Sequence, residues 1–133
     1  MLCIEDDAET RILLKKSLEA TGMTVDCVWG GERGLEAALT GRFDCVLLDI
    51  MMPGMDGFQV LHALKGQGLT RRLPVIMVTA RDDPESRAKA EAAGVDGFVG
   101  KPFDVKQLAE LIRRLTGKRA ADLPSSGERS SDP

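Results

Sequence analysis

The chain has 133 residues, 43% of them apolar and 29% charged, with a formal net charge of −3. That is the make-up of one ordinary soluble domain, and a slightly acidic balance leaves no electrostatic footprint for nucleic acid. No apolar run is long enough to cross a bilayer, and Met1-Leu2-Cys3-Ile4 lacks a basic stretch and meets acid at Glu5, so it does not read as a secretory signal.

Residues 1–4 read as a short strand that runs into Glu5-Asp6-Asp7. Residues 10–21 have helical spacing, with Leu14 and Leu18 one turn apart, and Gly22 as the stop. Residues 24–28 form a β-branched second strand, broken by Trp29-Gly30-Gly31, where Trp29 is expected to be partly buried. A helix follows over 32–40, with Leu35, Ala38 and Leu39 on one face. Residues 44–49 are the third strand, an unbroken apolar run ending in one carboxylate, Asp49. Such a run suits a strand buried on both faces of a parallel sheet. Pro53 and Gly54 end this segment, and residues 58–65 form a helix over Val60, Leu61 and Leu64. His62 lies on that helix and reads as a surface residue.

Residues 74–79 are the fourth strand, with Pro74 at its first position, where proline is tolerated. Asp83 and Pro84 stand as N-cap and first helical residue of an Ala-rich helix that runs to residue 93. With few large apolar side chains, it is the helix least anchored by burial. A fifth strand spans 96–100, Lys101-Pro102-Phe103 turns the chain, and Asp104 caps the last helix. Its buried stripe is Val105, Leu108, Ile112 and Leu115. Residues 118–133 are polar and rich in Ser, and read as a flexible C-terminal tail or a truncated linker after a domain over 1–117. Cys3, Cys27 and Cys45 have no Cys-x-x-Cys spacing and are expected as buried reduced thiols of a cytosolic protein.

Five alternations of strand and helix give an α/β fold, a doubly wound five-stranded parallel sheet with helices on both faces. In such sheets the ligand site lies outside the carboxyl ends of the strands. Glu5, Asp6, Asp49, Thr79 and Lys101 all fall at those ends. Three carboxylates at one edge repel one another unless a counter-charge intervenes, and Mg²⁺ with oxygen ligands supplies one. An Asp beside a metal ion, a lysine and a hydroxyl is suited to accepting a phosphoryl group.

These motifs are Glu5-Asp6, the run Leu48-Asp49-Ile50-Met51-Met52-Pro53-Gly54-Met55-Asp56-Gly57, Thr79-Ala80 and Lys101-Pro102-Phe103. In this order they resemble the receiver domain of bacterial two-component response regulators, over roughly residues 2–117. The resemblance implies a flavodoxin-like (βα)5 fold with strand order 2-1-3-4-5, for which this family is a standard example. It implies Asp49 as phosphoacceptor, with Thr79 and Lys101 assisting. Mg²⁺ would be held by Asp6, Asp49 and the Met51 carbonyl, with Glu5 bound directly or through water. Thr79 and Phe98 would form a switch pair, and the Lys101–Pro102 peptide would be cis. The implied partners are a sensor histidine kinase or a histidine phosphotransfer protein, and a downstream protein or output domain. Neither nucleic acid nor a membrane is expected to bind this domain directly. Gly97 and Leu111 stand where the winged-helix transcription factors of the family tend to carry an acid and a base, which argues against their style of dimer.

The domain is therefore expected to be a signalling switch, catalysing only its own phosphorylation and dephosphorylation, and not a metabolic enzyme. A non-phosphorylated adaptor of the same fold is the competing reading, and the intact Asp6, Asp49, Thr79 and Lys101 set argues against it. The Gly-rich segments match neither nucleotide-binding pattern, and a chain with no Tyr and one Trp offers little to sandwich a flavin.

Overall fold

The computed structural model describes residues 1–66 and 68–117; Gln67 and the expected tail over 118–133 lie outside the described residues. The strands are β1 (Leu2–Ile4), β2 (Asp26–Val28), β3 (Val46–Leu48), β4 (Val75–Thr79) and β5 (Gly97–Gly100). The helices are α1 (Ala8–Glu19), α2 (Gly31–Ala38), α3 (Gly57–Gly66), α4 (Pro84–Ala92) and α5 (Val105–Thr116). All strand pairs are parallel, in the order β2-β1-β3-β4-β5.

The two-residue period of a strand divides the core into two layers. Leu2, Ile4, Val46, Leu48, Val75 and Met77 face one side, under Ala38 of α2, Val60, Leu61 and Leu64 of α3, and Ala90 of α4. Cys3, Leu47, Ile76 and Val78 face the other, under Leu14 and Leu18 of α1 and Leu108, Ala109 and Ile112 of α5. Among the described residues no helix is long and apolar enough to cross a membrane.

Several boundaries move by a residue or two, and one move has a clear cause. Helix α1 begins at Ala8, earlier than the spacing of Leu14 and Leu18 suggests. Asp7 is its N-cap, accepting from the Thr10 N–H at 2.9 Å and the Thr10 hydroxyl at 2.6 Å. Those bonds, the hydroxyl's first, hold the Asp7 carboxyl below its usual range. Asp83 caps α4 in the same way through Ser86, and Asp104 caps α5 by accepting from the Lys106 and Gln107 N–H groups.

Two expectations of burial fail at the sheet edge. Trp29, just past β2, is 51% exposed. Its ring is flanked by the guanidinium groups of Arg11 at 5.3 Å and Arg33 at 4.7 Å. Cys27, within β2, is only half-buried, whereas Cys3 and Cys45 are buried. The cause is shared: among the described residues β2 pairs with β1 alone and forms the edge of the sheet. His62 is exposed, as read from the sequence. A Cβ on Gly97 would stand 2.9 Å from Leu111 Cδ2, so the two positions that depart from the winged-helix pattern pack on each other.

Candidate functional site

The sheet places its chemistry at one edge by ending strands there. Glu5 follows β1, Asp49 follows β3, Thr79 is the last residue of β4, and Lys101 follows β5. Lys101 joins three of these strands. Its Nζ donates to Glu5 Oε1 at 2.7 Å and to Asp49 Oδ2 at 3.1 Å. Its backbone N–H donates to the Thr79 carbonyl at 2.8 Å, and its peptide to Pro102 is cis.

Both carboxylates are nearly closed off from solvent, Glu5 at 2% and Asp49 at 6% exposure. Each is fixed through both oxygens. Asp49 Oδ1 accepts from the Met51 N–H at 3.2 Å, and Glu5 Oε2 accepts from the Asp7 N–H at 3.1 Å. The Met51 side chain itself is exposed. Burial pushes the Glu5 carboxyl above its ordinary value, with the Asp49 charge adding to the rise and the bonds from Lys101 and Asp7 opposing it. Burial also disfavours the Lys101 ammonium, but its bonds to Glu5 and Asp49 outweigh that and raise its pKa.

The other expected site residues lie close by with different partners. Asp6 Oδ1 accepts from the Gly30 N–H at 2.7 Å, so its carboxylate is tied to the segment after β2. The Thr79 side chain is fully buried, and its hydroxyl accepts from the Arg81 N–H at 3.1 Å. One hydroxyl both accepts and donates, so that bond leaves the Thr79 O–H hydrogen for another acceptor. Phe98 is half-buried in β5, with the Arg87 guanidinium 4.7 Å from its ring centroid.

Two residues that position this site carry weak sequence signals. Arg11 Nη1 donates to the backbone carbonyls of Glu5 and Asp6, each at 2.8 Å, and so pins the acidic turn. Its only mark is a basic residue one turn into a helix that follows acids. Gly57 lies against the segment after Asp49. A Cβ there would be 2.3 Å from the Asp49 carbonyl oxygen, so only glycine lets α3 begin so close.

The donors at this edge are carboxylate and carbonyl oxygens, the chemistry hard cations prefer. Among the described residues, no group of three or more carboxylate, imidazole or thiol side chains is arranged to hold a metal ion.

Comparison with known proteins agrees with this geometry. The response regulator receiver domain family matches residues 1–113. The transcriptional activator protein IrlR of Burkholderia pseudomallei is 39% identical over 115 residues, 86% of this chain and 49% of that protein. The transcriptional regulatory protein PcoR of Escherichia coli is 35% identical over 115 residues, covering 86% of this chain and 50% of its own. The chain thus spans about half the length of the curated relatives it matches. Among solved structures, the chemotaxis protein CheY4 of Vibrio cholerae superposes with a TM-score of 0.79 at 29% identity, over 86% of this chain and 95% of its own. The receiver domain of the sensor histidine kinase PA1611 from Pseudomonas aeruginosa superposes with a TM-score of 0.81 at 27% identity, over 88% and 96%. That domain holds a magnesium ion coordinated in its active-site cleft. The match over residues 1–113, with the sheet order β2-β1-β3-β4-β5 and the acid edge, shows that this chain belongs to the receiver domains of two-component response regulators.

Proposed function

We propose that Asp49 is the phosphoacceptor, taking a phosphoryl group from the phosphohistidine of a sensor histidine kinase or a histidine phosphotransfer protein. The observation that carries this is the setting of its carboxylate, at the mouth of β3 between the Met51 N–H and the Lys101 ammonium. A carboxylate oxygen attacks phosphorus, the phosphorus–nitrogen bond to the donor breaks, and the histidine leaves with the electron pair of that bond. Lys101 is placed to follow the transferring oxygens while staying paired with Glu5. Thr79 has an O–H hydrogen to donate to the product phosphoryl group.

Asp6 and Asp49, with the Met51 carbonyl, would hold Mg²⁺, with Glu5 acting directly or through water. When bound, Mg²⁺ would neutralise charge on the phosphoryl oxygens. Turning Asp6 toward the ion would exchange its bond to Gly30 for a metal contact.

The output follows from the same pair of residues. Drawing the Thr79 hydroxyl toward phosphate vacates space that Phe98 can fill, and this moves the surface of α4, β5 and α5. The supporting observation is that Phe98 is half-buried beside a helix with little buried anchorage. That surface would control a partner or an output segment of a longer protein, with residues 1–117 as the receiver unit and nucleic acid contacted only by that output part. The domain would act in the cytoplasm and catalyse only its own modification.

Incubation with acetyl phosphate and Mg²⁺ tests the central claim. Intact mass should rise by one phosphoryl group, the gain should vanish on chelation, and Asp49→Asn should abolish it. Equal labelling of Asp49→Asn would overturn the assignment. Thr79→Ala should still be phosphorylated, yet amide exchange across residues 84–100 should no longer respond to beryllium fluoride.

A further inference from the structure

Two cysteines meet on the layer beneath α1 and α5. Cys3 and Cys27 are direct Cα partners in the parallel pairing of β1 with β2. Residues so paired point to the same face, and both side chains join the same apolar cluster. Strand spacing of about 4.8 Å lies inside the Cα separation that a disulfide spans. Each thiol perturbs the other's ionisation, raising that of Cys3 and lowering that of Cys27. β2 is a three-residue edge strand, so it can close on β1 without breaking a second pairing.

The two thiols are unequal. Cys3 is buried in β1, next to the centre of the sheet, while Cys27 is half-buried on the outer strand. Lys15 and Arg11 lie near Cys27, whose thiol lies 3.8 Å from the Arg11 carbonyl, within reach of a weak hydrogen bond. The neighbouring Cys3 thiol, followed by these two positive charges, pulls the Cys27 thiol down to about 7 against the effect of its burial. Cys45 has no such partner: the register sets Leu47 opposite Cys3, and burial pushes the Cys45 thiol up to about 12.

We propose that Cys3 and Cys27 form a peroxide-oxidisable dithiol, with Cys27 the attacking thiol and Cys3 the resolving one. The Cys27 thiolate attacks one oxygen of hydrogen peroxide, the oxygen–oxygen bond breaks, and hydroxide leaves as a sulfenic acid forms. The Cys3 sulfur then attacks the Cys27 sulfur, the sulfur–oxygen bond breaks, and the Cys3 proton leaves with the oxygen as water. In sum, two thiols and one peroxide give one disulfide and two waters, the sulfurs losing two electrons to the peroxide. The product would tie β2 to β1 just below the acidic turn. The link to that turn is Arg11, whose carbonyl lies beside Cys27 and whose guanidinium holds the Glu5 and Asp6 carbonyls.

The folded, reduced chain treated with a slight excess of hydrogen peroxide tests this. Two of its three thiols should be lost, intact mass should fall by two hydrogens, and peptide mapping should link Cys3 to Cys27. Cys45→Ser should behave as the parent protein. Cys3→Ser should stop at a Cys27 sulfenic acid that dimedone traps, and Cys27→Ser should leave Cys3 reduced. If Cys3→Ser does not fold, the map of the parent protein decides alone. Oxidation confined to Cys45, a Cys27 dimer between chains, or three thiols unchanged while methionine is oxidised would each overturn the proposal.

Discussion

Helices α3 and α4 cover the same face of the sheet, on either side of β4, but they are held differently. α3 buries Phe58, Val60, Leu61 and Leu64, and its first residue, Gly57, lies against the backbone after Asp49. In α4 only Ser86 and Ala90 are buried, and no residue of β5 beside it is fully buried. The Asp49 edge is built like the α3 side, with each buried carboxylate fixed through both oxygens. A transferring phosphoryl group needs fixed geometry, whereas a moving output surface needs an element of low local stability. The proposed function needs both, and the chain sets large apolar side chains in α3 and small ones in α4.

The largest expected effect breaks the rigid side. Lys101→Met leaves Glu5 and Asp49 buried without their shared cation, which should destabilise the metal-free protein by about 3–5 kcal/mol. Urea denaturation measures it, and Mg²⁺ should recover part of the loss if the ion takes over that charge. The effect has a definite pH window. The folded state raises the Lys101 pKa above its ordinary 10.5, so its contribution is complete below that value and is lost as the pH rises through the folded pKa. The gap between parent and variant should therefore stay level from neutral pH upward and narrow only beyond 10.5.

The next pair sets one helix against the other. Leu64→Ala in α3 should cost about 2–5 kcal/mol, combining lost burial with a cavity. Ala90→Gly in α4 should cost about 1 kcal/mol, close to the helix-propensity difference alone. Equal shifts in denaturation midpoint would erase the contrast between the helices.

Glycine substitutions in α3 sharpen the point within one helix. Gly57→Ala must displace the Asp49 backbone and should cost about 1–3 kcal/mol. Gly66→Ala, in open space at the other end, should be neutral or stabilise by about 0.5–1 kcal/mol. If Gly57→Ala folds, it should also slow phosphorylation, since the carbonyl it displaces belongs to Asp49.

The same division explains what the sequence made legible. Large apolar runs announce themselves, so the buried strands and the stripe of α3 are readable from residue spacing, as is the thin anchorage of the Ala-rich α4. Residue order at strand ends likewise points to Glu5, Asp49, Thr79 and Lys101 sharing an edge. The direction of each side chain is not local information. Asp6 bonds to Gly30, which is 24 residues away, and Arg11 turns back to pin the acidic turn. Exposure at β2 is equally non-local: Trp29 reads as partly buried and Cys27 as buried until the sheet order leaves their strand at an edge.

The smallest expected effect lies on the loose side. Arg87 in α4 places its guanidinium 4.7 Å from the Phe98 ring centroid, a contact that joins α4 to β5. An exposed cation–π pair contributes only about 0.5–1 kcal/mol, so Arg87→Ala should barely move the denaturation midpoint. It should nevertheless raise amide exchange in α4, where so little else resists opening, and leave α3 unchanged. If Phe98 moves inward on activation, the ring would draw away from Arg87. The variant should then need less beryllium fluoride to reach the exchange pattern of the activated domain. Unchanged exchange in α4, or an equal rise in α3, would show that the two helices open together and that the contrast in their burial does not set their mobility.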